Sequence, residues 1–161
     1  MSPFLIRTGL LTLLLGSFPA AAVDRMPAHD HPLPPEGLHL NQGQRWETNA
    51  ALRQGMGSIR DAVVGAVHAN TPGPLSPAEA GKLADVINAQ TNYLVVYCVL
   101  APEADAVLHA LLGELLAGAE ALRANPADEA ALHRIVQALK DYPVYFDHAG
   151  WKPVTSSAPA P

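Results

Sequence analysis

The chain has a single cysteine among its 161 residues, so no disulfide can form within it. In an oxidising compartment, a lone thiol is a buried side chain, a metal ligand or a partner in an intermolecular bond. The Cys-x-x-Cys-His motif that attaches c-type haem is missing, which excludes covalent haem of that kind. The sequence leaves all three roles open for Cys98.

Basic residues and catalytic motifs are also scarce. Ten Lys and Arg stand against fifteen Asp and Glu, which gives a formal net charge of −5. A mildly acidic chain without a basic patch is not expected to bind nucleic acid or anionic lipid. The zincin helix motif, the nucleophile elbow and the Gly-rich phosphate loop are absent. We therefore expect a protein that is not an enzyme.

The apolar run near the N-terminus is too short for the roughly 20 residues of a membrane-spanning helix. This run, residues 9–18 (GLLTLLLGSF), follows Arg7 and precedes the small residues Ala20, Ala21 and Ala22. That order is typical of a secretory signal peptide. We predict that residues 1–22 are a signal peptide cleaved after Ala22. The mature protein is then periplasmic, with no membrane association.

Composition divides the rest of the chain into three parts. Residues 23–44 are rich in Pro and His and show no amphipathic period, so we predict a flexible arm. Residues 45–154 carry the helical patterns described below. Residues 155–161 (TSSAPAP) are predicted to be a disordered tail.

Four segments show apolar residues at the spacing of a helix. In helix 1, from about residue 48 to about residue 69, the apolar stripe includes Leu52, Met56 and Ile59, and Thr48 or Asn49 is the expected N-cap. In helix 2, Ser76, Pro77 and Glu79 form a capping box with proline at its first position.

Helix 3 begins at Pro102, and the pair Asn125-Pro126 separates it from helix 4, with Asn125 expected as the N-cap of helix 4. Pro143 is expected to kink or break helix 4, because proline lacks a backbone N–H. Four helices with short connections favour an all-α fold, an antiparallel up-down-up-down four-helix bundle.

This topology would bring four ligand-type residues to one end of the bundle. Met56, Cys98, His109 and His148 each lie near a helix end that shares the same pole. Thioether, thiol and imidazole groups bind copper, and Met with His also binds haem iron. In the arm, His29 and His31 could serve as auxiliary copper ligands. The sequence therefore predicts a metal or haem site at this pole.

Each of these residues also has an ordinary structural explanation. Met56 lies on a core stripe, where methionine usually fills space. Cys98 could be a small buried apolar residue. His109 could bond to Glu103 or Asp105 at the boundary of the core, and His148 could hold a turn. Only the convergence of the four on one pole favours a site.

Three blocks of the sequence resemble an uncharacterised family of secreted Gram-negative helical-bundle proteins. The first runs from Leu40 through Trp46 to Arg60 and fits LNxGxxWxTxxxLRxGMxxIR. The second, residues 98–109, fits CxLxPxADxxLH, and the third, residues 148–151, fits HxGW. The resemblance implies export and a helical bundle, and it implies no particular activity.

The layout also resembles the soluble b-type cytochromes of the four-helix-bundle kind. Those proteins bind haem between a Met early in helix 1 and a His late in helix 4, the places of Met56 and His148. Pro143 before the His, and the additional Cys98 and His109, depart from that pattern.

Three functional hypotheses follow from these observations. The leading one is a periplasmic metal-binding protein, for copper, with Met56, Cys98, His109 and His148 as ligands. The alternative is a haem b electron carrier that uses Met56 and His148. The third is a ligand-free interaction module whose polar pole docks a partner.

Overall fold

The structure, a computed structural model, describes residues 37–70 and 73–154. It contains four helices, α1 (Ala50–Ala69), α2 (Pro77–Tyr97), α3 (Pro102–Ala124) and α4 (Glu129–Tyr145). Two short strands, β1 (Trp46–Glu47) and β2 (Phe146–Asp147), pair in parallel. The helices pack as α1 on α2, α2 on α3 and α3 on α4. This arrangement confirms the predicted all-α four-helix bundle.

Several predicted segments lie outside the described residues. They are the signal peptide (1–22), the tail (155–161) and most of the arm, including His29 and His31. The last part of the arm, residues 37–44, is described and forms a tight turn. Asn41 and Gln44 exchange backbone hydrogen bonds of 2.8 Å. Gln42 and Gly43 between them both have positive φ, as a type I′ turn requires.

Side-chain caps define the start of three helices. The Asn49 side chain accepts a hydrogen bond from the Leu52 N–H, which caps α1. Ser76 and Glu79 form the predicted capping box of α2, with Pro77 at its first position. Each satisfied backbone N–H at such a position stabilises the helix end by about 1 kcal/mol.

The predicted N-cap of α4 was wrong. Its N-cap is Asp128, whose carboxylate accepts from the Ala131 N–H at 3.0 Å. Asn125 instead ends α3, and its side chain accepts from the Ala127 N–H at 3.2 Å in a local turn. Pro143 does not break the helix, because α4 continues to Tyr145. The proline lies in the last turn, so the one backbone hydrogen bond that it cannot donate is lost near the end of the helix rather than in its middle.

One end of each helix lies at a common pole of the bundle, called here the Trp46 pole. These ends are the start of α1, the end of α2, the start of α3 and the end of α4. The pairing of Trp46 with Phe146 joins the start of α1 to the end of α4. The Asn49 side-chain amide donates to the Val99 carbonyl at 2.9 Å, which ties α1 to the loop between α2 and α3. Along the part of the chain that the structure describes, no helix is both long and apolar enough to cross a membrane.

Candidate metal-binding groove

A groove of about 310 Å³ lies between the end of α2 and the start of α3 at the Trp46 pole. Cys98, Asp105 and His109 line it together with apolar side chains. Cys98 is the C-cap of α2, and His109 lies two turns into α3. The antiparallel packing of these two helices therefore brings a thiol and an imidazole to the same groove.

The Cys98 thiol is partly buried and protonated. It donates to the side-chain oxygen of Asn49, with a distance of 3.8 Å from Sγ to Oδ1. Burial raises the pKa of the thiol, and the negative charge of Asp105 contributes in the same direction. A metal ion that binds here must therefore displace a proton from Cys98.

His109 is held in an orientation that leaves one ring nitrogen available. Its Nδ1 lies 2.9 Å from the Asp105 backbone oxygen and 3.3 Å from Oδ2 of the Asp105 carboxylate. Both partners can only accept, so Nδ1 carries the proton and donates. The Nε2 lone pair is then free to bind a ligand. Metal-binding histidines are commonly oriented in this way, by a carbonyl or carboxylate on the other nitrogen.

His148 belongs to a different cluster, in which aromatic side chains surround it. The Nδ1 atom lies 3.0 Å from the hydroxyl of Tyr142, and the rings of Tyr142 and Trp151 are both in contact with the imidazole. Burial strongly raises the pKa of Tyr142, so this hydroxyl is protonated. The hydroxyl and Nδ1 share one hydrogen bond, whose direction depends on the imidazole tautomer. In either tautomer, Nδ1 of His148 is occupied by Tyr142.

The environment of His148 also predicts a pH dependence of stability. Burial lowers its pKa below the ordinary 6.5, and the positive charges of Arg53 and Arg60 lower it further. The folded state therefore disfavours the imidazolium form, and stability decreases as pH falls through the ordinary histidine range. We expect the melting temperature to fall between about pH 7.5 and about pH 5.5.

The matched variant is His148→Gln, whose amide oxygen can still accept from Tyr142 but whose charge does not change with pH. We expect its melting temperature to fall less over the same range. An equal fall in both proteins would show that protonation of His148 does not destabilise the folded state.

Met56 lies in the core and has no exposed surface. It continues the buried stripe of α1 with Leu52, Ile59 and Val63. The Tyr142 and Trp151 rings beside His148 have centroids 4.7 Å apart. Cys98 and His109 line an open groove together, whereas Met56 is enclosed in the core and His148 lies among aromatic rings.

Within residues 37–70 and 73–154, no three His, Cys, Asp or Glu side chains are placed to hold one metal ion together. The structure brings Cys98 and His109 to one groove and places His148 in a separate aromatic cluster. The contact of Asn49 with the Cys98 thiol was not predicted from the sequence. Asp105, which orients His109, was one of the two partners that the sequence offered. The i,i+4 spacing of Asp105 and His109 was the available signal.

No protein-family model matches the chain, and no curated protein and no solved structure shows significant similarity to it.

Proposed function

We propose that this protein is a non-enzymatic metal-binding protein, that the ion is copper(I), and that Cys98 and His109 are its principal ligands. The observation that carries the proposal is the orientation of His109 by Asp105 beside Cys98 in one groove. Thiolate is a soft ligand that selects copper(I), and imidazole also binds copper.

The number of available ligands supports copper(I) over zinc. Structural zinc is almost always bound by four tetrahedral ligands. The groove offers one thiol and one imidazole, and the Asp105 carboxylate is engaged with His109. Copper(I) accepts two ligands in a linear arrangement, so the pair is sufficient for it. Binding converts the thiol of Cys98 to a thiolate and releases its proton.

The arm residues His29 and His31 are the auxiliary copper ligands of this proposal. Both lie outside the described residues. Imidazole binds copper, so these side chains carry the chemistry that an auxiliary role requires.

Competition with a chromophoric copper(I) chelator under anaerobic conditions tests the proposal. We expect the wild type to withdraw one equivalent of copper(I) from the chelator. Cys98→Ser and His109→Gln should each weaken binding at least about tenfold, which corresponds to about 1.4 kcal/mol. His133→Ala is the matched control, because His133 is an exposed histidine of α4.

The arm provides the distinguishing variant. If the double variant His29→Ala with His31→Ala abolishes binding while Cys98→Ser and His109→Gln leave it unchanged, the arm alone is the copper site, and the proposal for the groove is wrong.

A further inference from the structure

One side of the bundle is not closed by helix packing alone. The main packing is α1 on α2, α2 on α3 and α3 on α4, and the packing of α4 on α1 is much less extensive. The chain that follows β2 covers this fourth side, because its side chains contact both α1 and α4. We call residues 148–154 the strap.

Two aromatic side chains of the strap attach it to the helices near the Trp46 pole. Nδ1 of His148 lies 3.0 Å from the hydroxyl of Tyr142 in α4. The Trp151 ring lies against the ring of Tyr142, with centroids 4.7 Å apart, and the guanidinium of Arg60 in α1 lies 5.3 Å from the Trp151 ring. Trp151 therefore bridges α1 and α4.

Val154 attaches the strap further along the bundle. It is buried, and with Val67 of α1 and Val136 of α4 it lines a groove of about 230 Å³. Val67 lies two turns of α1 beyond Arg60, so the strap follows the bundle away from the Trp46 pole. The described side chains do not fill this groove, so Val154 has fewer packing partners than a valine enclosed in the core.

The closed position of the strap carries an energetic penalty. The indole N–H of Trp151 is buried and has no hydrogen-bond partner among the described residues. When the strap lifts, this N–H gains a hydrogen bond to water, which favours opening. Ala149, Gly150, Lys152 and Pro153 are already exposed, so opening uncovers little besides the three contact residues, His148, Trp151 and Val154.

A glycine turn joins the first two contact residues. The Trp151 N–H donates to the His148 carbonyl at 3.1 Å, and Gly150 within the turn has a φ of 80°. This left-handed conformation favours glycine. No atom lies within 4 Å of a Cβ added at Gly150. A substitution there therefore strains the backbone of the turn without disturbing the packing.

We propose that the strap is a lid that opens and closes as a unit while the four helices stay folded. Opening breaks the contacts of His148, Trp151 and Val154 and exposes the faces of α1 and α4 beneath them. The helices keep their own hydrogen bonds and the packing of α1 through α4 in sequence order. The open state therefore lies below global unfolding in free energy. This proposal does not depend on copper binding.

NMR hydrogen exchange of the full chain, in a reducing and copper-free buffer, tests the strap. Trp151 supplies two reporters, its backbone N–H and its indole N–H, and the backbone N–H of Leu111 in the core of α3 reports global unfolding. We expect both Trp151 protons to be protected from exchange, but at least about tenfold less than Leu111. Their exchange should also depend less on urea, because local opening exposes less surface.

Gly150→Ala should lower the protection of both Trp151 protons about five- to thirtyfold, because alanine is strained in the left-handed region. Gly57→Ala in α1 is the matched control. No atom lies within 4 Å of a Cβ added there either, and the variant should not lower the protection. Arg60→Gln removes the cation beside the Trp151 ring and should lower the protection about two- to fivefold.

Three results would overturn the proposal. Trp151 protons with the same protection and urea dependence as Leu111 would show that the strap opens only on global unfolding. Trp151 protons with no protection would show that the strap is not closed. Unchanged protection in both Gly150→Ala and Arg60→Gln would show that neither the turn nor the contact with α1 holds the strap closed.

Discussion

Gly118→Ala is expected to destabilise the protein, although alanine is the better helix former. A Cβ at position 118 would lie 2.6 Å from Cγ1 of Ile135 and 3.0 Å from the backbone oxygen of Ala131. Both atoms belong to α4, so α3 and α4 would have to separate. Helix propensity favours alanine by about 1 kcal/mol, and overpacking costs about 1–3 kcal/mol. We expect a net loss of up to about 2 kcal/mol in the free energy of unfolding.

Gly113→Ala in the same helix is the control, and its effect should have the opposite sign. No atom lies within 4 Å of a Cβ added there, so the variant should gain about 0.5–1 kcal/mol. Urea denaturation of both variants measures the difference. If Gly118→Ala proved as stabilising as Gly113→Ala, the close packing of α3 on α4 would be wrong.

Copper(I) should stabilise the folded wild type, because its two ligands come from different elements of the bundle. An ion that binds only the folded state, at a hundredfold excess over its dissociation constant, stabilises it by about 2.7 kcal/mol. We expect Cys98→Ser to lose most of this copper-dependent stabilisation. Chemical denaturation with and without copper(I), under anaerobic conditions, gives the difference for each variant.

The Met56→Leu variant distinguishes the four-ligand site predicted from the sequence from a site formed by Cys98 and His109 alone. It conserves apolar volume in the core and should cost less than about 1.5 kcal/mol by itself. The four-ligand site predicted from sequence requires this variant to lose much of the copper response. Binding by Cys98 and His109 requires it to keep the full response, as His133→Ala should. Loss of the response in Met56→Leu alone would restore the thioether as the principal ligand.

Local sequence patterns predicted the fold well because each helix carries its own signals. The stripe of Leu52, Met56, Ile59 and Val63 specifies a buried face of α1, and the capping box at Ser76 specifies the start of α2. The start of α4 was misplaced because Asn125 and Asp128 are both good N-caps. The choice between them depends on the local turn that Asn125 makes with Ala127, which helical periodicity does not encode.

The candidate site could be predicted only in part. The up-down-up-down order of the helices predicts which helix ends lie at the same pole. It does not predict the direction in which each side chain points. Met56 lies on the inward face of α1, whereas His109 lies on an exposed edge of α3. His148 comes directly after the strand that follows α4, so its contact with Tyr142 depends on how the chain folds back after the helix.

The exposure of Val95, Val96 and Tyr97 in the last turn of α2 could not be predicted from the sequence. The run from Tyr93 to Leu100 reads as core because it is almost entirely apolar. Helical geometry allows only part of such a run to face the bundle, and Leu94 takes that place, with 1% of its surface exposed. The remaining side chains of the final turn are left in solvent, which periodicity analysis of the interior stripe does not reveal.

The most direct test of the central claim is X-ray absorption spectroscopy of the protein loaded with one equivalent of copper(I). The account predicts a coordination shell that contains one sulfur and at least one imidazole nitrogen. In Cys98→Ser, the sulfur contribution should disappear, whereas in Met56→Leu it should be unchanged. A wild-type spectrum with only nitrogen and oxygen ligands, or a sulfur contribution that persists in Cys98→Ser, would contradict copper binding by Cys98 and His109.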